Sequence, residues 1–327
     1  MANKKNIALV AGGYSGEYII SIGSAGVAEK HIDASKYNVF KIIIEREKWY
    51  HTTTEGVEIP VDRADFTLKI GRKKIKFDAV LMIIHGTPGE DGKLQGYFDM
   101  LNIPYTSCDA ATSALTFNKR FTVATVAFAG INVAKSLHLF KSAPLSINAI
   151  SSSLTLPVFV KPNNGGSSIG MSRVEKVEDL AAAIERAFKE DDQVLVEQFI
   201  AGREFTVGVM RTQGELLVFP ICEVVTKKAF FDFEAKYKGE SEELIPAPIS
   251  AEMADILGDS ARRIYDVLNC RGIVRIDFIW SDAHNAPFML EVNTVPGQSA
   301  ASIVPQMVKA YGWTMPEFYT RQIEELF

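Results

Sequence analysis

Short apolar runs and longer periodic stretches alternate along the chain. Ile7 to Val10 form a run of strand length, Gly12-Gly13 mark a turn, and apolar positions then recur at helical spacing from about Glu17 to Lys30. Val39 to Ile44 and Ala79 to Ile84 are further strand-length runs, so the first hundred residues predict a parallel α/β sheet. A helix is predicted from near Thr112 to Ala129, with Gly130 just beyond its end. Pro157 to Val160 reads as a strand entering a glycine- and serine-rich loop at 163–170. Glu178 to Phe188 is helical by period, and Val194 to Phe199 is a strand. Ser250 is placed to cap a long helix that buries Met253, Ile256, Leu257, Ile264, Val267 and Leu268 and ends at Asn269 to Gly272.

The clearest alternation lies near the carboxyl end. In Val274 to Trp280 the polar residues Arg275 and Asp277 alternate with apolar ones, so period two puts both on one face. In Phe288 to Asn293, Glu291 and Asn293 share a face, with Leu290 and Val292 on the other. Residues 281–287 are short and polar, so the two strands predict a hairpin on which Asp277, Glu291 and Asn293 converge.

Composition narrows the class. A chain of 327 residues suggests two or three compact units, and 47% apolar with 23% charged residues is an ordinary soluble mixture. The net charge of −5 argues against a nucleic-acid partner; Arg72, Lys73, Lys74 and Lys76 beside Gly71 read as a solvated turn. Three cysteines without paired spacing suit a reduced, cytoplasmic protein. Ile7 to Val10 is too short for a secretory core, and no apolar stretch is long enough to cross a bilayer, so no membrane partner is expected.

Each candidate motif has two readings on its own. Two carboxylates and an amide oxygen, without cysteine or histidine, suit a hard cation such as Mg²⁺; equally, they suit a solvated sheet face on which Arg275 pairs the acids. The loop Lys161-Pro-Asn-Asn-Gly-Gly-Ser-Ser-Ile-Gly170 lets a phosphate approach the backbone, but it is neither GxxxxGK[ST] nor GxGxxG and also reads as a flexible loop. Glu17, after Gly12-Gly13-Tyr14-Ser15-Gly16, either holds a substrate amine or favours the helix dipole. His85, at the end of a parallel strand, is placed to orient a reacting group or to serve structure.

Together the motifs resemble the D-alanine–D-alanine ligases of the ATP-grasp superfamily over nearly the whole chain. The resemblance rests on Gly12-Gly13-x-Ser15-x-Glu17 with Ile20-Ser21, and on His85-Gly86-x-x-Gly89-Glu90-Asp91-Gly92-x-x-Gln95-Gly96. It continues through Ile103 to Thr106, Asn118-Lys119, Val160-Lys161-Pro162 and Gly166-Ser167-Ser168-x-Gly170. Glu197, Gly202-x-Glu204, Asp232 to Tyr237, Arg275-Ile276-Asp277 and Glu291-Val292-Asn293-Thr294-x-Pro296-Gly297 complete it, in family order.

The resemblance implies an α/β, ATP-grasp fold: an N-terminal Rossmann-like parallel α/β domain (1–107), a central α+β domain (108–197) and a C-terminal α+β domain with the metal site (198–327). It implies an ADP-forming ligase that makes the D-alanyl-D-alanine dipeptide from two D-alanines and ATP through a D-alanyl phosphate, for peptidoglycan. Lys119, Lys161 and Lys236 match lysines on the ATP phosphates. Glu197 matches the adenine edge and Glu204 the ribose site, with Ser168, Gln198 and Ile200 also among the nucleotide-binding positions. Asp277, Glu291 and Asn293 match the ligands of two Mg²⁺ (or Mn²⁺) ions. Arg275 and the Gly297 N–H match the oxyanion stabilisers, Ser302 the group on the second alanine's carboxylate, and Glu17 the anchor of the first alanine's ammonium, with His85 orienting the acyl group. Glu17, Ser167 and Tyr237 match a hydrogen-bonded triad whose tyrosine lies on a closing loop. A homodimer is implied as well.

The chain departs from the family at Gln298-Ser299, where Met-Thr is frequent, at Phe117-Asn118, where Met-Asp is frequent, and at Phe233, where a tyrosine is frequent. These positions bear on substrate specificity rather than reaction class. Two rivals are a D-alanine–D-lactate ligase, disfavoured by Tyr237, and a non-catalytic ATP-binding module, disfavoured by the intact charged set.

Overall fold

A computed structural model describes residues 4–166, 169–226 and 241–327. Its strands form three sheets. In the first, β1 (Lys5–Gly12) pairs in parallel with β2 (Tyr37–Ile44) and β7 (Ala79–Met82), and α1 (Tyr18–His31) makes the crossover. The predicted parallel arrangement holds for these three strands only. β3 (Trp49–Thr52), β4 (Glu58–Asp62), β5 (Thr67–Ile70) and β6 (Lys73–Ile75) extend the sheet as an antiparallel meander. Their connections are too short for the crossover that a parallel pair needs. Apolar side chains of β1, β2 and β7 fill the layers on both faces.

After α2 (Lys93–Leu101), the single helix predicted near 112–129 is two, α3 (Ala110–Phe117) and α4 (Lys119–Phe128). Asn118 breaks the run: its backbone is extended and its side chain accepts the Phe121 N–H at 3.1 Å, so it caps the second helix. The break lets the Lys119 N–H donate to Asn163 O at 3.1 Å, docking the helix start beside the glycine-rich loop. Gly130 does follow the helix end, with φ +76°.

The second sheet has four antiparallel strands, β8 (Ser136–Phe140), β9 (Val158–Pro162), β10 (Ser172–Val174) and β11 (Gln193–Gln198), in the order β10-β9-β11-β8. α5 (Ile147–Ser153) and α6 (Leu180–Ala187) cover it, burying Ile150, Leu180 and Ile184 against Val158, Val160, Val194 and Val196.

The third sheet comprises β12 (Arg203–Thr212), β13 (Glu215–Val218), β14 (Cys222–Thr226), β15 (Ser241–Leu244), β16 (Ile273–Ser281) and β17 (Ala286–Asn293). α7 (Ala251–Val267) packs on it through Met253, Leu257, Ala261, Ile264 and Tyr265, and Ser250 caps it by accepting the Met253 N–H at 3.2 Å. α8 (Ile303–Tyr311) and α9 (Met315–Glu324) close the chain against α1 and the first sheet.

The predicted hairpin is β16 with β17, in a register that sets Asp277 opposite Glu291 and Arg275 opposite Asn293. The register then slips, pairing Phe278 with Met289, so Leu290 is an extra residue. Consequently Met289, not Leu290, joins Val292 in the core, because the bulge reverses which face the strand buries. Among the described residues, no helix is long and apolar enough to cross a membrane.

Candidate active site

Three groups of side chains lie within electrostatic reach of one another. The first comes from the loops at the carboxyl ends of β1 and β7. Ser21, on the buried face of α1, accepts the Gly12 N–H at 2.9 Å and donates to Ile83 O at 2.7 Å, locking the two strand ends together. Glu17 stands at the amino end of α1, but its side chain makes no capping hydrogen bond. It lies against two glycines instead. A Cβ on Gly86 would come within 3.2 Å of one of its oxygens, and a Cβ on Gly166 within 3.5 Å of both. Glu17 therefore lies between the His85 loop and the glycine-rich loop; on the Gly86 side a Cβ would crowd it, whereas on the Gly166 side a Cβ would make an ordinary contact.

His85 is buried, and both ring nitrogens have protein partners: Nδ1 lies 2.7 Å from Val295 O and Nε2 3.2 Å from Ser24 Oγ. Glu90 accepts the Gly86 N–H at 2.7 Å and the Val295 N–H at 3.1 Å. Burial, with the negative charge of Glu17 nearby, pushes its carboxyl up to about 7, against the pull of those two N–H groups and of Arg275.

The second group stands on β16 and β17. The Arg275 guanidinium donates to both Asp277 oxygens, at 3.0 and 2.7 Å, and approaches Glu291 at 3.8 Å. Asp277 also accepts from Thr206 Oγ1 at 2.7 Å, across the β12 pairing, and from Asn293 Nδ2 at 3.2 Å. Burial works against the Arg275 charge, but Asp277 and Glu291 outweigh it and hold the proton more firmly than usual. Among the described residues, no three His, Cys, Asp or Glu side chains gather as a metal set. The alternating face buries Val274, Ile276 and Phe278 behind the site, which fixes the polar side chains in front.

The third group belongs to α4 and the second sheet. Lys161 on β9 and Glu197 on β11, diagonal neighbours two residues apart in the register, form a buried ion pair at 2.5 Å. Lys119 Nζ donates to Gly165 O at 2.6 Å. Desolvation lowers its pKa, while the fields of Glu291 and Glu197 act the other way and that of Lys161 adds to the lowering. Gln198 and Ile200, both half-buried, lie in the passage from β11 to β12, where the Gln198 N–H donates to Lys135 O at 2.9 Å. Glu204 follows on β12, half-buried and paired with Ile279 of β16.

Ser302 begins α8, and its Oγ stands 2.8 Å from Ser299 Oγ, accepts the Ser299 N–H at 3.1 Å and lies beside Gly297. Ser167, Ser168, Lys236 and Tyr237, with Phe233, lie outside the described residues.

Residues 118–324 match the family described as D-ala D-ala ligase C-terminus, and residues 6–108 match D-ala D-ala ligase N-terminus. The chain belongs to the D-alanine–D-alanine ligase family. A D-alanine–D-alanine ligase from Flavobacterium johnsoniae is 45% identical, with 98% of each chain covered. One from Parabacteroides distasonis is 44% identical, covering 98% of this chain and 97% of its own. Among solved structures, the VanG D-Ala:D-Ser ligase from Enterococcus faecalis superposes with a TM-score of 0.88 at 33% identity, covering 99% of this chain and 100% of its own. D-alanyl-alanine synthetase A from Vibrio cholerae gives 0.88 at 28%, covering 100% and 99%. The ATP-grasp architecture of this ligase family is therefore the architecture of this chain.

Glu90, Ser24 and Thr206 received no role from the sequence. Glu90 stands inside the quoted His85 motif, and Ser24 is a polar residue on the buried face of α1; those were the available signals.

Proposed function

We propose that this protein joins two D-alanines into D-alanyl-D-alanine with hydrolysis of ATP to ADP and phosphate, supplying peptidoglycan synthesis in the cytoplasm. The observation that carries the proposal is the Arg275, Asp277, Glu291 and Asn293 cluster on paired strands, facing Lys119 and the Lys161–Glu197 pair, in a chain of this ligase family.

A carboxylate is a poor electrophile, so one of its oxygens first attacks the γ-phosphorus of ATP and ADP leaves, giving the D-alanyl phosphate. The free amine of the second alanine then attacks the acyl carbon. The tetrahedral intermediate collapses, the C–O bond to phosphate breaks, and the amine's surplus proton is lost to solvent. Lys119 and Lys161 supply positive charge to the phosphates, with Lys236 assigned to the same task, and Ser168 contributes to the phosphate loop. Glu197, Gln198 and Ile200 line the adenine edge, and Glu204 takes the ribose hydroxyls. Glu17 binds the first alanine's ammonium, and Ser302, at the positive end of α8, binds the second alanine's carboxylate. Arg275 and the Gly297 N–H receive the oxyanion. Ser167 and Tyr237 join Glu17 in closing the site against water.

The all-oxygen donor set of Asp277, Glu291 and Asn293 fits a hard divalent cation. Asn293 turns its NH₂ to Asp277, which leaves its amide oxygen as the remaining donor. These residues would hold Mg²⁺, two ions as in the family, with Mn²⁺ as a substitute. Bound there, the metal neutralises charge on the phosphoryl group in transfer. We further propose three working units, 1–107, 108–197 and 198–327, and a homodimer.

Phosphate release from ATP with Mg²⁺ tests the proposal, comparing D-alanine, L-alanine and D-alanine plus D-lactate, with products identified by mass. Release that requires D-alanine and yields its dipeptide is expected. Preferential formation of the D-lactate ester at neutral pH would replace it with the depsipeptide activity.

A further inference from the structure

Gly297 sits in a segment whose backbone is held on both sides by residues of the first sheet's loops and α1, more than 200 positions away in sequence. Before it, Val295 is gripped at both polar groups: its N–H donates to Glu90 at 3.1 Å and its carbonyl lies 2.7 Å from His85 Nδ1. After it, the Gln298 N–H donates to Ser24 Oγ at 3.1 Å. Ser24 Oγ in turn lies 3.2 Å from His85 Nε2.

The donors and acceptors of this set fix one another. A carbonyl only accepts, so His85 Nδ1 carries the hydrogen that meets Val295 O. In a neutral ring Nε2 is then the acceptor and takes the Ser24 hydroxyl hydrogen. Ser24 Oγ keeps its lone pairs for the Gln298 N–H. The chain of bonds closes from Gln298 through Ser24 and His85 to Val295, and Glu90 holds the remaining Val295 group. Ser24, His85, Val295 and Gln298 are all buried, so water does not compete for these bonds. Between the clamped residues stand only Pro296, whose ring fixes φ and which has no N–H, and Gly297. Glu90 also accepts the Gly86 N–H, beside which Glu17 lies, and so ties the ammonium-binding loop to the same segment.

We propose that Ser24, His85 and Glu90 are positioning residues for the acyl-transfer half of the reaction, aiming the Gly297 N–H at the oxyanion of the tetrahedral intermediate. The proposal rests on the ligase reading above. It assigns His85 an action through the Val295–Gln298 backbone, since both its nitrogens are engaged there.

The consequence separates the two chemical steps. Moving an oxyanion donor by an ångström costs on the order of 10²-fold in the step it serves, whereas phosphoryl transfer depends on the lysines and the acidic cluster. The experiment uses ATP carrying ¹⁸O in the β-nonbridging positions, with Mg²⁺ and D-alanine. It measures the ratio of positional isotope exchange in ATP, which reports reversible D-alanyl phosphate formation, to dipeptide formation. In Ser24→Ala the Gln298 N–H loses its acceptor. In Glu90→Gln the amide accepts from one backbone N–H and sets its own NH₂ against the other. Each variant is expected to raise the ratio at least about tenfold over wild type, with KM for ATP changed less than about threefold. If one variant fails to fold, the other is read alone.

A ratio equal to that of wild type, whether both rates fall in parallel or neither moves, would overturn the proposal and leave the clamp a purely structural contact. A wild-type enzyme with neither exchange nor dipeptide from D-alanine would instead overturn the ligase reading itself.

Discussion

Arg275 reaches the Asp277 carboxylate with two hydrogen bonds, at 3.0 and 2.7 Å, from two positions earlier on the same strand. This side-by-side fork fixes the guanidinium plane over the site while Asp277 keeps Thr206 and Asn293 as further partners. Lysine would retain the charge but not the two-pronged geometry. Arg275→Lys is therefore expected to lower kcat for dipeptide formation about 10²-fold or more, with ATP affinity nearly unchanged. Steady-state kinetics with varied ATP checks it; a KM effect alone would remove Arg275 from the reacting centre.

Glu291 stands opposite Asp277 in the hairpin register and is the more exposed of the two acids. Glu291→Ala should abolish D-alanine-dependent phosphate release, because the cation site proposed above loses a ligand. Near-normal turnover by this variant would show the metal assignment to be wrong.

The Lys161–Glu197 pair has side chains only 13% and 9% exposed. Removing one partner leaves the other charge buried without its counter-ion. Glu197→Ala should cost about 3–5 kcal/mol in unfolding free energy. Denaturant titration of the ligand-free protein measures this, and a loss below about 1 kcal/mol would mean that Lys161 finds solvent.

The carboxyl of Glu90 is pushed up to about 7 by burial and by Glu17. An acid whose pKa is raised on folding binds more protons in the native state than in the unfolded state between its two pKa values. Its contribution is thus fully present below the ordinary glutamate range and is lost as pH rises through 7. Across that window wild type should lose about 3 kcal/mol relative to Glu90→Gln, which has no proton to release. Paired denaturant titrations at pH 5 and pH 8 test the sign, and parallel losses in the two proteins would contradict it.

Much of this site was legible because it is built on regular elements. Period two alone put Arg275 with Asp277 and Glu291 with Asn293, and the hairpin register brought the pairs together. The bulge at Leu290 was not legible, because an extra residue leaves no mark on an alternation this short. The break at Asn118 had a signal, an N-cap residue type inside a helical run, but continuous periodicity on both sides masked it. Likewise, the antiparallel meander from Trp49 to Ile75 is made of short, half-exposed strands with weak apolar patterns. The clamp on Val295 and Gln298 joins residues more than 200 positions apart through backbone groups, and backbone partners carry no residue type to read. Family resemblance supplied the roles proposed for Gly297 and Ser302, which no local pattern marks.

The most direct test of the central claim is phosphate release from ATP with Mg²⁺ and D-alanine as the sole amino acid, with the product identified by mass. Release dependent on D-alanine, with D-alanyl-D-alanine formed in equal amount to ADP, is the expected result. ATP binding without D-alanine-dependent release, or release with a different amino acid required, would contradict it.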